Sequence, residues 1–378
     1  MLRLVNRISG LGRATAVLVL LALGAIIGQT IMPVATKSAP AAAGLPEPKA
    51  TSRKPSRPPA PRPPGRTTPL ESQVQTLVLA LRGTTARRTY GVPSLARPLV
   101  RLSRVDEQRG WALGTSAIPL PAGVAAMPEA SVFVARRTGA KWSIQLAGTK
   151  GFLRLVKQAP VSLIPQDERP VLTGYGGGAK TAAPQSGDTG LTLPWAAGQS
   201  WSIQAPVEGQ QDLGFNGGDG RVRAPGDGRI FRLCSTAPGR GLLLLIHANG
   251  LATEYYQLTG VPNLKDGSLV KRGDLLGRVG TDQPCGAGSS RPRTMVRFGL
   301  RGADRPLTLD GRSFGGWTLR TAAGPVSAER EGIRVVAGNP LLNFGPGAGG
   351  PAVSPSPSPA VSSSPGAKPK PTPAAKPT

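Results

Sequence analysis

Histidine is almost missing: the 378-residue chain has one, His247. A single imidazole removes most chemistry in which histidines work in pairs or triads, before any motif is read. Acidic side chains are scarce as well, 20 Asp and Glu against 46 Lys and Arg, for a formal net charge of +26. The excess amounts to +9 over residues 1–70, +14 over 71–346 and +3 over the remaining tail. The central part is therefore basic in its own right, a field that favours polyanions such as anionic cell-wall polymers, lipid head groups or nucleic acid. Cysteine is limited to Cys234 and Cys285, with no Cys-x-x-Cys spacing to suggest a metal or dithiol redox site. What is plentiful is glycine, 51 residues, and proline, 40. That composition argues against a helix bundle and for a loop-rich, mainly β chain. The length corresponds to roughly two domains of about 150 residues.

The ends are organised differently from the middle. Arg3, Arg7 and Arg13 precede an uncharged run over 14–36 whose most apolar stretch is 16–27. Residues 1–36 fit either a cleaved signal peptide, with small residues at Ala41–Ala43 for cleavage, or a retained membrane anchor. The basic flank keeps the N-terminal end cytoplasmic, so either reading puts the bulk of the chain outside the cytoplasm, anchored to the membrane or secreted to the envelope. Residues 37–70 are Pro- and Arg-rich, and 347–378 repeat Ser-Pro and then Lys-Pro. Neither can bury a core, and both read as disordered, extended spacers.

Residues 71–170 begin with a helical spacing, Val74, Leu77, Val78 and Leu81. Strand-like runs follow at 99–105, 110–116, 130–136 and 141–146, then a second helical piece at 152–157. This predicts a small α+β domain with an antiparallel sheet and Trp111 and Trp142 in its core. No chemistry-bearing constellation stands out in it. Residues 171–192, with Gly174 and Gly176–Gly178, read as an inter-domain linker. Beyond it, 193–346 is predicted to be all β. Strands over 242–247 and 251–258 meet at Asn249-Gly250, a strong hairpin signal.

Several stretches of 193–346 resemble, in order, the lysostaphin/LytM-type peptidases. They are Gly220-Arg221-Val222-Arg223-Ala224-Pro225-Gly226-Asp227-Gly228, then Leu244-Leu245-Ile246-His247-Ala248-Asn249-Gly250, then Tyr255-Tyr256-Gln257-Leu258, then 267–280, then Val296-Arg297-Phe298. Leu193-Pro194-Trp195 and Gly315-Gly316-Trp317 resemble the opening and close of an exported bacterial subgroup. The resemblance covers about 150 residues and implies a duplicated-hybrid-motif β fold, zinc as cofactor and peptidoglycan cross-bridges as substrate.

The same resemblance implies where the chemistry should sit. The family's zinc is held by a His and an Asp of an early His-x(3)-Asp and by the second His of a late His-x-His, leaving a coordination position for water. Further histidines come from the first position of His-x-His and from a Tyr-x-His-Leu strand. In this sequence the early aspartate falls on Gly214, the Tyr-x-His-Leu histidine on Gln257, and the His-x-His pair on Met295 and Arg297. Asp212 would reach the aspartate position only with a two-residue shift. Two imidazoles cannot be found in a chain with one, so no zinc is expected, and His247 reads as a hydrogen-bonded structural residue. Alternation suggests instead a groove lined by Tyr255, Gln257, Arg293, Met295 and Arg297, in which Arg297 would take a carboxylate of a wall peptide. An even pair of cysteines in an exported domain predicts a Cys234–Cys285 disulfide.

The reading is then a non-catalytic, envelope-located pseudopeptidase that binds peptidoglycan or anionic wall polymers or regulates a cell-wall hydrolase, reaching the membrane through its N-terminal segment. A metalloendopeptidase with an unorthodox site is one alternative. A nucleic-acid binder is the other, disfavoured by the export signal and by the lack of an aromatic-plus-basic stacking platform.

Overall fold

The computed structural model describes residues 69–177, 187–204, 211–235, 237–322 and 324–346. The apolar segment 1–36, almost all of the linker 37–70 and the tail 347–378 lie outside them. Among the described residues, no helix is long and apolar enough to cross a membrane. The chain is mainly β.

The first lobe opens with helix α1 (Pro69–Tyr90), longer than the sequence pattern indicated. Pro at its start has no N–H to lose, Glu71 lies in the first turn, and Arg87 and Arg88 in the last complement the helix dipole. Its buried face is a ladder of every fourth residue, Leu70, Val74, Val78, Arg82, Ala86 and Tyr90. The helix lies against four antiparallel strands in sequence order, β1 (Leu99–Asp106), β2 (Trp111–Ile118), β3 (Glu129–Thr138) and β4 (Lys141–Leu146). Helices α2 (Lys150–Gln158) and α3 (Arg169–Gly176) complete the lobe. Thr149 caps α2 by accepting from the Phe152 N–H. The expected linker over 171–192 is thus partly structured: α3 runs into it, and Gly187–Asp188 pairs in parallel with Arg312–Phe314.

The second lobe is built on a nine-stranded sheet among the described residues. Its main strands are β5 (Ser200–Gln204), β6 (Leu213–Gly217), β7 (Gly228–Leu233), β8 (Leu242–Ile246), β9 (Ala252–Tyr256), β10 (Ser268–Val270), β11 (Val296–Arg301) and β12 (Pro340–Leu342). They lie in the order β10-β7-β8-β9-β11-β6-β5-β12. Cys234 and Cys285 are joined in a disulfide.

The sheet is covered on both faces, and that positions everything below. Leu242, Leu244 and Ile246 of β8 share a core with Phe133, Phe152 and Leu172 of the first lobe, while Leu243 and Leu245 face the aromatic core of the second. An unbroken apolar run is what a strand buried on both sides requires. Residues 69–177 are accordingly not a separate domain on a tether; all described residues belong to one compact unit. The loop after Cys285 stitches the lobes further: the Leu120 N–H donates to Cys285 O at 2.8 Å and the Gly123 N–H to Gly288 O at 2.7 Å.

Candidate functional site

Cross-strand partners point to the same side of a sheet, so the register decides what shares a face. On β9 and β11, Tyr255 stands opposite Phe298 and Tyr256 opposite Arg297. Tyr255 is fully buried in the second-lobe core, its ring centroid 5.6 Å from that of Phe298. It therefore does not line a groove with Arg297, as alternation along each strand taken separately suggested. The correction has a simple cause. Alternation gives the two faces of one strand but not which face matches that of its neighbour.

Arg297 does face the other side, toward the first lobe, but it is already engaged. Its Nε donates to Asp212 Oδ2 at 2.7 Å and its Nη2 to Asp212 Oδ1 at 2.8 Å. Both residues are buried. Burial pushes the Asp212 carboxyl above its usual range, and the Arg297 guanidinium pulls it only partly back. A fork already filled by a carboxylate of its own chain cannot take a ligand's carboxylate unless that pair opens, so the expected role of Arg297 in the groove is revised.

Gly214 stands opposite Arg297 on β6. The thioether sulfur of Met295 occupies the space that a Cβ on Gly214 would need, so the early-aspartate position and the first position of the late motif have closed on each other. Gln257, directly after β9, is buried with φ of 63°, a left-handed backbone rare for a residue with a side chain. Arg293 is exposed on the loop before β11. A glycine, a thioether, a guanidinium held by a carboxylate and a buried amide do not make the donor set that zinc takes. Among the described residues, no three His, Cys, Asp or Glu side chains are grouped to hold a metal.

His247 is buried and fully engaged. Its Nδ1–H donates to the Asp227 carbonyl at 2.8 Å, the tautomer that a carbonyl partner dictates. Nε2 then accepts from the Thr253 hydroxyl at 3.0 Å, and the Tyr255 hydroxyl can donate to Thr253 Oγ1 at 2.8 Å. Burial lowers the imidazole pKa to about 4, so the ring is neutral at physiological pH.

What the sequence reading missed lies on the same face as Arg297. Arg301, on β11, donates from Nε to Glu254 Oε1 at 2.8 Å and from Nη1 and Nη2 to the Glu129 carboxylate of β3 at 3.0 and 3.1 Å. Exposure is 1% for Arg301, 4% for Glu129 and 2% for Glu254. Burial, followed by the Arg301 charge that opposes it and the Glu129 charge that adds to it, leaves the Glu254 carboxyl raised. The available signal was weak: an acid inside the strand Ala-Thr-Glu-Tyr-Tyr, which does not alternate as a half-exposed strand should. Between this cluster and the first lobe lies a cavity of about 580 Å³, lined among others by Arg88, Tyr90, Val124, Met127, Asp212, Glu254 and Gly299.

No protein-family model matches the chain, and no curated protein matches it. Among solved structures, the chain is similar to the M23 metalloprotease pseudoalterin from the deep sea at 24% identity, over 40% of this chain and 97% of that one, with a TM-score of 0.35. It is similar to the catalytic domain of the antimicrobial peptidase lysostaphin from Staphylococcus simulans at 22% identity, over 28% and 81%, with a TM-score of 0.22. A putative M23 peptidase from Pseudomonas aeruginosa matches at 15% identity over 59% and 96%, with a TM-score of 0.24. Similarity at this level supplies no argument about function, which has to come from the residues.

Proposed function

We propose that the chain is a cell-envelope protein that works by binding, not by hydrolysis: a scaffold of lysostaphin/LytM type whose catalytic positions have been converted into core. The observation that carries this reading is the pairing of Arg297 with Asp212 beside Met295 and Gly214, where the family's metal would need aspartate and histidine. The face on which a peptidase would receive its substrate is packed against the first lobe. Neither zinc nor proteolysis is part of this function.

The partner is peptidoglycan or an anionic wall polymer, or a hydrolase working on them. Support comes from the charge of +26, which attracts such polymers at long range, and from the N-terminal apolar segment with its basic flank, which directs the chain outward. Nucleic acid is not the partner on this reading.

The test uses purified full-length protein and isolated cell walls. Sedimentation with the walls, weakened as salt rises, together with no release of soluble wall fragments with or without added zinc, is the expected result. Fragment release that a chelator abolishes would overturn the non-catalytic reading. Failure to sediment at low salt would overturn the wall-binding one.

A further inference from the structure

A small sheet of the second lobe sets like charges against each other. Its three antiparallel strands lie in the order Leu258–Thr259, Leu275–Val279, Arg221–Arg223. Val222, Leu258 and Leu276 are fully buried in the second-lobe core, which leaves the opposite face to solvent. On that face Arg278 stands between Thr259 and Arg221, directly opposite each, and Leu275 stands opposite Arg223. Partners across an antiparallel pair point the same way, and like charges placed opposite each other are destabilising. Arg221 and Arg278 are one strand spacing apart, about 5 Å, and Arg223 follows roughly 7 Å along its strand.

The acids nearby do not answer this charge. Asp219 pairs with Arg221 at 3.8 Å, with both side chains in solvent. Arg278 donates to the backbone carbonyl of Asp219 and Arg223 to that of Gly273; among the described residues neither is ion-paired with a carboxylate. In the turn beside Arg223, Asp227 holds Lys271 and Asp274 accepts from the Lys271 N–H. Like charges fixed on a ladder at a cost to the fold point to an anion supplied from outside. A planar carboxylate fills one fork, as Asp212 fills that of Arg297. A phosphate is tetrahedral and offers oxygens in several directions, so one group accepts from two opposed arginines at once. The face is poor in apolar side chains: Leu275 is the one large apolar residue these strands expose, too little to enter a lipid surface.

We propose that this face binds a polymer bearing repeated phosphate groups, with Arg221 and Arg278 donating to one phosphate and Arg223 adding its charge beside them. The site uses none of the positions that correspond to the peptidase metal centre. That the polymer belongs to the cell wall rests on the function proposed above; the arginine site itself does not.

The test is calorimetric titration of full-length protein with long-chain inorganic polyphosphate, and separately with poly-L-glutamate of equal charge and with phosphatidylglycerol vesicles. Polyphosphate should bind at least tenfold more tightly than polyglutamate. Arg221→Thr with Arg278→Thr should weaken polyphosphate binding at least tenfold and flatten the dependence of log affinity on log salt by about two. Arg154→Gln with Lys157→Gln removes the same charge from exposed positions of α2 and should weaken it less than threefold. Arg278→Thr alone relieves the like-charge contact, so its urea midpoint should equal or exceed that of the wild type, which separates lost binding from lost fold. A lower midpoint would overturn the like-charge argument. Equal losses in the two double variants, equal or tighter binding of polyglutamate, or tighter binding of the vesicles would each overturn the proposal. If the wild type fails to sediment with cell walls while its preference for polyphosphate holds, the wall-binding reading falls and the arginine site stands.

Discussion

Arg301 and Glu129 lie 172 positions apart and meet through two parallel hydrogen bonds of 3.0 and 3.1 Å, in a place where neither is more than 4% exposed. They belong to different lobes, so the pair fastens one lobe to the other at the point where water is excluded. Arg301 also holds Glu254, so removing the arginine leaves two buried carboxylates without their counter-ion, at a cost of about 3–5 kcal/mol. Arg301→Met should lower the unfolding free energy by that amount in urea titration. A loss below about 1 kcal/mol would mean that solvent reaches the site and that the lobes are held by apolar contact alone.

The Asp212–Arg297 pair makes a sharper comparison, because the two residues can be removed together. Arg297→Met should destabilise by about 3–5 kcal/mol, since it strands the Asp212 carboxylate in a dry site. Arg297→Met combined with Asp212→Leu should recover most of that loss, because desolvation of the ions consumes much of what their attraction returns. A double variant as unstable as the sum of its single changes would show that the pair is favourable on balance and not chiefly an arrangement that keeps two charges satisfied.

His247 gives the protein a pH dependence of definite sign. Its pKa is about 4 when folded, against about 6.5 in an unfolded chain. The unfolded state therefore takes up the proton first as pH falls. Stability from this group is complete above about pH 6.5, declines between there and about pH 4, and changes no further below, a loss of roughly 3 kcal/mol in all. Comparing wild type with His247→Gln in unfolding experiments from pH 7 to pH 4 isolates this contribution, since the buried carboxylates are common to both. Parallel curves for the two proteins would refute it.

The Cys234–Cys285 bridge closes a loop with a sequence separation of 51 and holds the segment that pairs with Leu120 and Gly123. In the chain-entropy account a closure of that length contributes about 4 kcal/mol. Cys234→Ser with Cys285→Ser should lose about that much stability. The amide of Leu120 should lose hydrogen-exchange protection more than amides in the middle of β8. Unchanged protection at Leu120 would show that the lobe contact does not need the bridge.

Much of the molecule could be read along the chain. The strand pattern of the first lobe, the Asn249-Gly250 hairpin, the cysteine pair and the glycine-marked turns are local signals, and each reflects backbone geometry or spacing that a few consecutive residues impose. The shortage of histidine was equally plain. It removes two-imidazole chemistry whatever the fold, because a count does not depend on how the chain is arranged. What could not be read was the partner of each polar side chain. Arg297 looked like a free fork in a groove until the register placed Asp212 on it. Tyr255 looked like a groove residue until Phe298 stood opposite.

Composition and local pattern thus determined that the chain is basic, mainly β and without the imidazoles of a peptidase site. The tertiary structure alone decided that the first lobe packs on the face of the sheet that carries Tyr256 and Arg297, and that Glu129, Glu254 and Arg301 meet there. The physical reason is that alternation along a strand gives the two sides of that strand and nothing about its neighbour. Which side meets water, another lobe or a buried charge is fixed only when strands far apart in sequence come into register.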